Sequence, residues 1–307
     1  MNEILSALSE EERQLLKKTK QPEWMNPMLA KLTEDYFSDE NWIFERKLDG
    51  ERCIIFKEGK EVRIMSRNKK NLNHTYPETV EAFKAQAGDF IADGEMVAFE
   101  GNLTSFSKLQ RRMHLKDKDL ISNHSTRVFF YVFDLPFFEG YDLSKLELRS
   151  RKSILKQALD FEDPIRFTAH RNEKGEEYYK EACEKGWEGL IAKKADSLYT
   201  HGRSSNWLKF KCVRRQEFVI GGYTEPQGSR KGFGSLLIGF YEKDGLYYAG
   251  KVGTGFNNEI LTDLHEQMQK LETQETPFKK NKDLPRRDVH WTKPQMVAEI
   301  GFTEWTS

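Results

Sequence analysis

Trp42-Ile43-Phe44-Glu45-Arg46-Lys47-Leu48-Asp49-Gly50-Glu51-Arg52 is the stretch on which the fold turns. An apolar, strand-forming run leads to a lysine, a glycine breaks it, and β-rich runs follow at 53–56 and 62–65 with Gly59 between them. Glycine admits the backbone conformations that tight turns need, so short antiparallel strands are the simplest reading. Outward from there, helices are expected at 77–87 and 104–113 around a strand at 90–99, and 127–135 is apolar enough to be a strand buried on both faces. Helical periodicity at 145–160 and 174–185 is followed each time by a strand-like run, at 165–168 and 189–193. Upstream, Ser9 and Glu12 have capping-box spacing at the start of a short helix, ahead of the Pro22 and Pro27 breaks.

The pattern changes after residue 211. Short strands at 218–223, 236–241 and 246–252 have glycine-rich connections and are followed by one helix at 259–271, which suggests a small barrel. The polar, lysine-rich run 273–285 is a candidate mobile loop. The expected class is therefore α+β: an N-terminal helical appendage at 1–22, a body of antiparallel sheets with flanking helices at 23–212, and a small β-barrel at 213–307.

At 307 residues, 37% hydrophobic and 32% charged, the chain suits about two domains and carries no signature of long disorder. Its 49 lysines and arginines balance 49 acidic residues, so a polyanionic partner must be held by local basic clusters. Cys53, Cys183 and Cys212 are widely spaced and give no disulfide framework or zinc site, which makes a reducing cytoplasm the expected compartment. The most apolar stretch, 128–138, is too short to span a bilayer and contains Asp134, so neither export nor membrane insertion is expected.

Four clusters could carry chemistry. Lys47 stands where an apolar strand ends; as a nucleophile its amine would need nearby cations or desolvation to shed its proton near neutrality. Asp93-Gly94-Glu95 interrupts an apolar strand and Glu188-Gly189-Leu190-Ile191 begins one. In Trp207-Leu208-Lys209-Phe210-Lys211 the alternation puts both lysines on one face. Carboxylates that can hold Mg²⁺ or a ribose, together with cations that neutralise a transferring phosphate, are what phosphoryl chemistry requires. Taken singly, each has an ordinary alternative: a solvated strand-end lysine, an edge-strand face, a salt-bridged carboxylate.

In order and spacing, Lys47 to Arg52, Asp93 to Glu95, Phe129 to Asp134, Glu188 to Ile191 and Trp207 to Lys211 resemble the successive motifs of covalent nucleotidyltransferases. Arg203-Ser204-Ser205-Asn206-Trp207-Leu208-Lys209, and the run from Gly221 through Pro226, Gly228 and Gly232 to Tyr241, look like ATP-dependent DNA ligases, most of all the ligase module of bacterial nonhomologous end joining. The resemblance implies an adenylation domain followed by an oligonucleotide-binding (OB-fold) barrel. It also implies that Lys47 takes AMP from ATP as a phosphoramidate, passes it to the 5′-phosphate of a nick in duplex DNA, and leaves the 3′-hydroxyl to seal the strand. Glu45 matches the residue that reads the adenine amino group and Phe133 the ring that stacks on adenine. Arg52 and Arg67 match arginines that contact the nick 5′-phosphate and the AMP, Glu95 and Glu188 the ribose or metal carboxylates, and Lys209 and Lys211 the lysines on the AMP phosphate. Mg²⁺, with Mn²⁺ as its substitute, is the implied cation. Asp49 receives no single role. A monomer acting in DNA repair or end joining, with repair proteins as partners and near the nucleoid if the source is bacterial, is what the resemblance suggests.

For DNA, Arg203, Lys209, Lys211, Arg214 and Arg215 form one acid-free basic span, and Lys108, Arg111, Arg112, Lys116 and Lys118 form another. The sequence stops at Ser307, before a basic motif that in the family follows segments like Phe302-Thr303-Glu304-Trp305-Thr306 and orients pyrophosphate. Reaction with ATP is accordingly expected to be impaired more than sealing of an adenylated nick. Two alternatives remain at this point. One is a GTP-using mRNA-capping-type guanylyltransferase, which GMP transfer would reveal; the other is a nick-binding protein without catalysis, which would have no sealing to lose when Lys47 is replaced.

Overall fold

The computed structural model describes residues 2–113, 115, 126–212 and 214–302. The chain divides into two compact units, Met1–Cys212 and Val213–Ser307.

Two sheets make up the first unit. One runs in the order Lys17–Lys18, Tyr141–Asp142, Val128–Phe138, Phe90–Glu100, Glu51–Glu58, Glu61–Ser66, with Ile165–Phe167 and Leu103–Thr104 added at its sides. The other runs His170–Glu173, Asp39–Arg46, Gly189–Lys194, Gly202–Lys211, Met28–Thr33. Strand Val128–Phe138 is buried almost throughout, as an apolar run covered on both faces must be. Its core partners include Phe83, Phe90, Met96 and Leu155. Pairing is antiparallel except at two places: Ile165–Phe167 lies parallel to Val128–Phe138, and Gly202–Lys211 lies parallel to Met28–Thr33. The first exception follows from the crossover helix Leu148–Ala158, which returns the chain in the same direction.

Three expectations change. The 1–22 segment is part of the body: Leu5, on the short helix Glu3–Ser6, is fully buried in the main core with Ile4, Leu8 and Leu16 packed against it, and Lys17–Lys18 pairs with Tyr141–Asp142, because those apolar side chains need cover; helix Glu10–Leu15 buries none of its residues. Cys183 and Cys212 form a disulfide, with Cα atoms 5.3 Å apart. The end of helix Gly175–Glu184 and the end of strand Gly202–Lys211 meet in space although 29 residues separate the cysteines, which no sequence spacing reveals. Arg112, counted among the basic residues of 108–118, is 2% exposed and forms a bidentate pair with Glu78, at 2.8 and 2.9 Å. Lys116 and Lys118 lie outside the described residues.

The second unit has one antiparallel sheet, Gly245–Val252, Leu236–Glu242, Arg214–Thr224, Val289–Phe302, Glu272–Thr273, with helix Asn258–Gln269 packed through Leu261 and Met268. Asn257 caps that helix by accepting from the Ile260 amide. This is the OB-fold-like arrangement of short strands and one helix. Among the described residues no helix is long and apolar enough to cross a membrane.

Candidate active site

Lys47 follows the last residue of strand Asp39–Arg46 and is pinned by its own backbone, whose N–H donates to the Gly189 carbonyl at 2.9 Å. Its Nζ meets Glu188 Oε2, and the other Glu188 oxygen receives Lys211 Nζ at 3.4 Å. That convergence depends on two glycines. Gly189 has φ +138°, and a Cβ there would lie 1.9 Å from the Phe210 carbonyl oxygen; a Cβ on Gly50 would lie 2.1 Å from the Met96 carbonyl oxygen. Asp49 braces the loop after Lys47. Its Oδ2 accepts from the amide of Phe106, the first residue of helix Phe106–Met113, at 3.0 Å, while its own N–H donates to Thr104 Oγ1 at 3.1 Å.

Beside Lys47 opens a cavity of about 170 Å³, lined by Glu45, Lys47, Arg52, Arg67, Glu95, Phe133, Arg203 and Lys209, together with Thr168, Ile191, Lys193 and Trp207. Strand alternation places these groups. Arg52 stands opposite Glu95 in the ladder, and its guanidinium grips Asp93 through Nε at 2.5 Å and Nη2 at 2.6 Å. Asp93 also accepts from the Tyr199 hydroxyl at 2.6 Å. The register shifts on both sides of Asp93, where Gly94 lets Phe130 and Tyr131 come too close for any Cβ. The Arg52 guanidinium lies 4.4 Å from the centroid of the Phe133 ring, a cation–π contact.

Charge is concentrated at the inner wall. Glu45, 2% exposed, takes Lys152 Nζ on Oε1 at 2.5 Å and Lys193 Nζ on Oε2 at 2.6 Å. Burial would raise the Glu45 carboxyl, but Lys152 and then Lys193 outweigh it and hold it below its ordinary value. Burial pushes the Lys193 ammonium down to about 8 against the pull of Glu45. Glu95 is raised to about 7 by burial, with Arg52 and Lys47 opposing and Asp93 and Glu188 adding. Lys209 is lowered, first by burial and then by Lys47, Lys211 and Arg203. The Trp207 indole N–H and the Thr168 hydroxyl, both buried in the cavity wall, take no hydrogen bond among the described residues.

Of the residues expected from the sequence, Glu45, Lys47, Arg52, Arg67, Glu95, Phe133, Arg203 and Lys209 come together around one cavity, with Glu188 and Lys211 at the Lys47 amine. Arg214 and Arg215 stand instead in the second unit, on strand Arg214–Thr224, opposite Phe302 and Gly301. Reading the sequence misses Lys152 and Lys193, and names Trp207 and Asp93 only as members of their clusters, with no individual role. One signal was present: Lys193 is two residues beyond Ile191 on a strand and so shares its face, and Ile191 lines the cavity.

A lysine at the edge of a pocket that holds an aromatic ring, acidic groups and further lysines, built on two sheets and followed by an OB-fold-like unit, is the arrangement of a nucleotidyltransferase. Residues 27–211 match the family model described as ATP dependent DNA ligase domain, and 229–307 match the ATP dependent DNA ligase C terminal region. The chain belongs to the ATP-dependent DNA ligase family. It is 37% identical over 303 residues to the multifunctional non-homologous end joining protein LigD of Pseudomonas aeruginosa, covering 94% of this chain and 34% of that protein. The ligase domain from M. tuberculosis LigD is 32% identical with a TM-score of 0.56, covering 92% of this chain and 90% of the other. A mycobacterial DNA ligase D complexed with ATP and MES is 31% identical with a TM-score of 0.55 at the same coverage. The chain spans about a third of the length of the curated end-joining relatives it matches.

Proposed function

We propose that the chain seals 5′-phosphate/3′-hydroxyl nicks in double-stranded DNA in three displacements at phosphorus. The Lys47 amine, losing a proton, attacks the α-phosphorus of ATP; a P–N bond forms, the bond to pyrophosphate breaks, and AMP remains on Lys47. The nick 5′-phosphate then takes the adenylyl group and frees Lys47, and the 3′-hydroxyl displaces AMP to close the strand. The observation that carries this reading is Lys47 at a cavity edge, held against Glu188, with Lys209 and Lys211 beside it. Cations so placed stabilise charge that builds up on a transferring phosphate.

Within the cavity, Phe133 would offer its ring to the adenine and Glu45 a carboxylate to the adenine amino group, while Arg67 and Lys209 would meet phosphate oxygens. Arg52, already paired with Asp93, would act with its remaining donors. Mg²⁺, or Mn²⁺ in its place, prefers hard oxygen donors, and the carboxylates of Glu95 in the cavity wall and Glu188 at the Lys47 amine are of that kind. Held by Glu95 and Glu188, the ion would supply charge neutralisation at the phosphates. Arg203, with Arg214 and Arg215 on the second unit, would contact the DNA backbone. The names of the end-joining relatives support a place in nonhomologous end joining.

The test is sealing of a 5′-phosphorylated nick in duplex DNA with ATP and Mg²⁺. The unaltered chain is expected to seal it and Lys47→Ala to lose sealing by at least about 1,000-fold, as loss of a covalent nucleophile should. Equal sealing by both chains would overturn the proposal.

A further inference from the structure

Lys152 belongs to helix Leu148–Ala158, and although its side chain is not part of the cavity wall, three wall segments converge on it. Its Nζ donates to Glu45 Oε1 at 2.5 Å, to the Thr168 carbonyl at 3.1 Å and to the Phe133 carbonyl at 3.5 Å. An ammonium has three donors, and here all three point to residues that line the cavity. The side chain is 3% exposed, so those contacts are made away from bulk solvent. On the far side of Glu45, Lys193 takes the other carboxylate oxygen and lies 4.0 Å from the Trp207 ring centroid and 4.2 Å from that of Phe133.

The carboxylate is therefore clamped at both oxygens, and each oxygen keeps a second lone pair for a donor arriving from the cavity. Clamped between two ammonium groups it stays ionised, and an ionised carboxylate only accepts hydrogen bonds. Such a group welcomes an exocyclic amine on a purine and repels a carbonyl oxygen in the same place. With one clamp removed, burial favours the neutral acid, which can donate to a carbonyl and no longer tells the two apart.

We propose that Lys152 is a positioning residue that sets the base selectivity of the nucleotide pocket, holding Glu45 in the orientation that accepts from a 6-aminopurine and rejects a 6-oxopurine. The proposal rests on the reading of Glu45 as the base-reading group. Lys152 touches neither nucleotide nor phosphate in this scheme; it acts through Glu45 and through the backbone of Phe133 and Thr168.

The test compares formation of the lysyl-nucleotide adduct from ATP and from inosine triphosphate, whose base differs by carrying oxygen at position 6. The unaltered chain is expected to prefer ATP by about 100-fold or more in kcat/KM, the scale on which a buried polar group rejects a mismatched partner. Lys152→Met should bring that preference below about 10-fold, mostly through a higher KM for ATP, and Lys152→Arg should restore it. Lys152→Gln, which keeps a neutral donor, serves if the methionine variant is unstable and should fall between the two. A Lys152→Met or Lys152→Gln chain that loses ATP and inosine triphosphate use by the same factor, keeping the preference, would make Lys152 a support of the fold alone and overturn the proposal. No preference in the unaltered chain would overturn the Glu45 reading and this proposal together, whereas no adduct from either nucleotide would overturn Lys47 as the acceptor of AMP from ATP and this proposal with it; sealing of an already adenylated nick by the same chain tells that result apart from failure of the nick-sealing reading.

Discussion

Glu95 shows how a single side chain links site and stability. Its carboxyl is raised to about 7, from 4.5, mainly by burial. Between those values the folded chain holds a proton that the unfolded chain has released, so stability falls as pH rises through that window and is level above it. Urea unfolding without divalent cations should show a loss of roughly 2–3 kcal/mol from pH 4.5 to 7 at this residue, and Glu95→Gln should remove most of it. A slope unchanged in Glu95→Gln would place the titration elsewhere. Such residues were legible from sequence because a carboxylate inside an apolar strand breaks the alternation. Lys152 was not, since a lysine on a helix is ordinarily solvated, and for Lys193 alternation with Ile191 tells which face it shares but not that the face is buried. Only the three-dimensional placement of Glu45 between them reveals two buried ammonium groups.

Elements bring these side chains within reach, and the junction of strands Gly189–Lys194 and Gly202–Lys211 is the tightest. Gly189 lies opposite Lys211 and bonds through its carbonyl to the Lys47 amide. Gly189→Ala adds a Cβ against the Phe210 carbonyl in a left-handed backbone conformation, so the ladder must open where Glu188 meets Lys47. Adduct formation from ATP should fall at least about 100-fold in a chain whose circular dichroism remains that of a folded protein. Activity within a few fold of the unaltered chain would contradict this role. Strands with local, strongly apolar patterns, such as Val128–Phe138 and Phe90–Glu100, were readable in sequence. Met28–Thr33 was not, because its partner Gly202–Lys211 lies far along the chain. Val289–Phe302 was hidden for another reason: Pro294 falls where pairing with Arg214–Thr224 shifts register, an irregularity that tolerates proline but disguises the strand.

Across the whole molecule, equal numbers of acidic and basic residues leave binding of a polyanion to local clusters. The division into two units was legible from the shift in composition, while the incorporation of 1–22 into the body and the Cys183–Cys212 disulfide were not. Arg112, spent on Glu78, is withdrawn from the basic surface, which leaves Lys108 and Arg111 on that helix to test. If these and Arg203 grip phosphates, sealing at limiting DNA should weaken by at least about 10-fold between 50 and 200 mM salt, with little dependence on sequence. A flat salt response would contradict backbone gripping. Covalent transfer through Lys47 is read off the intact mass of the chain before and after incubation with ATP or GTP and Mg²⁺, alongside Lys47→Ala. ATP should add one adenylyl group that Lys47→Ala abolishes; a gain of GMP, or an AMP adduct that survives Lys47→Ala, would rule out Lys47 as the adenylated nucleophile.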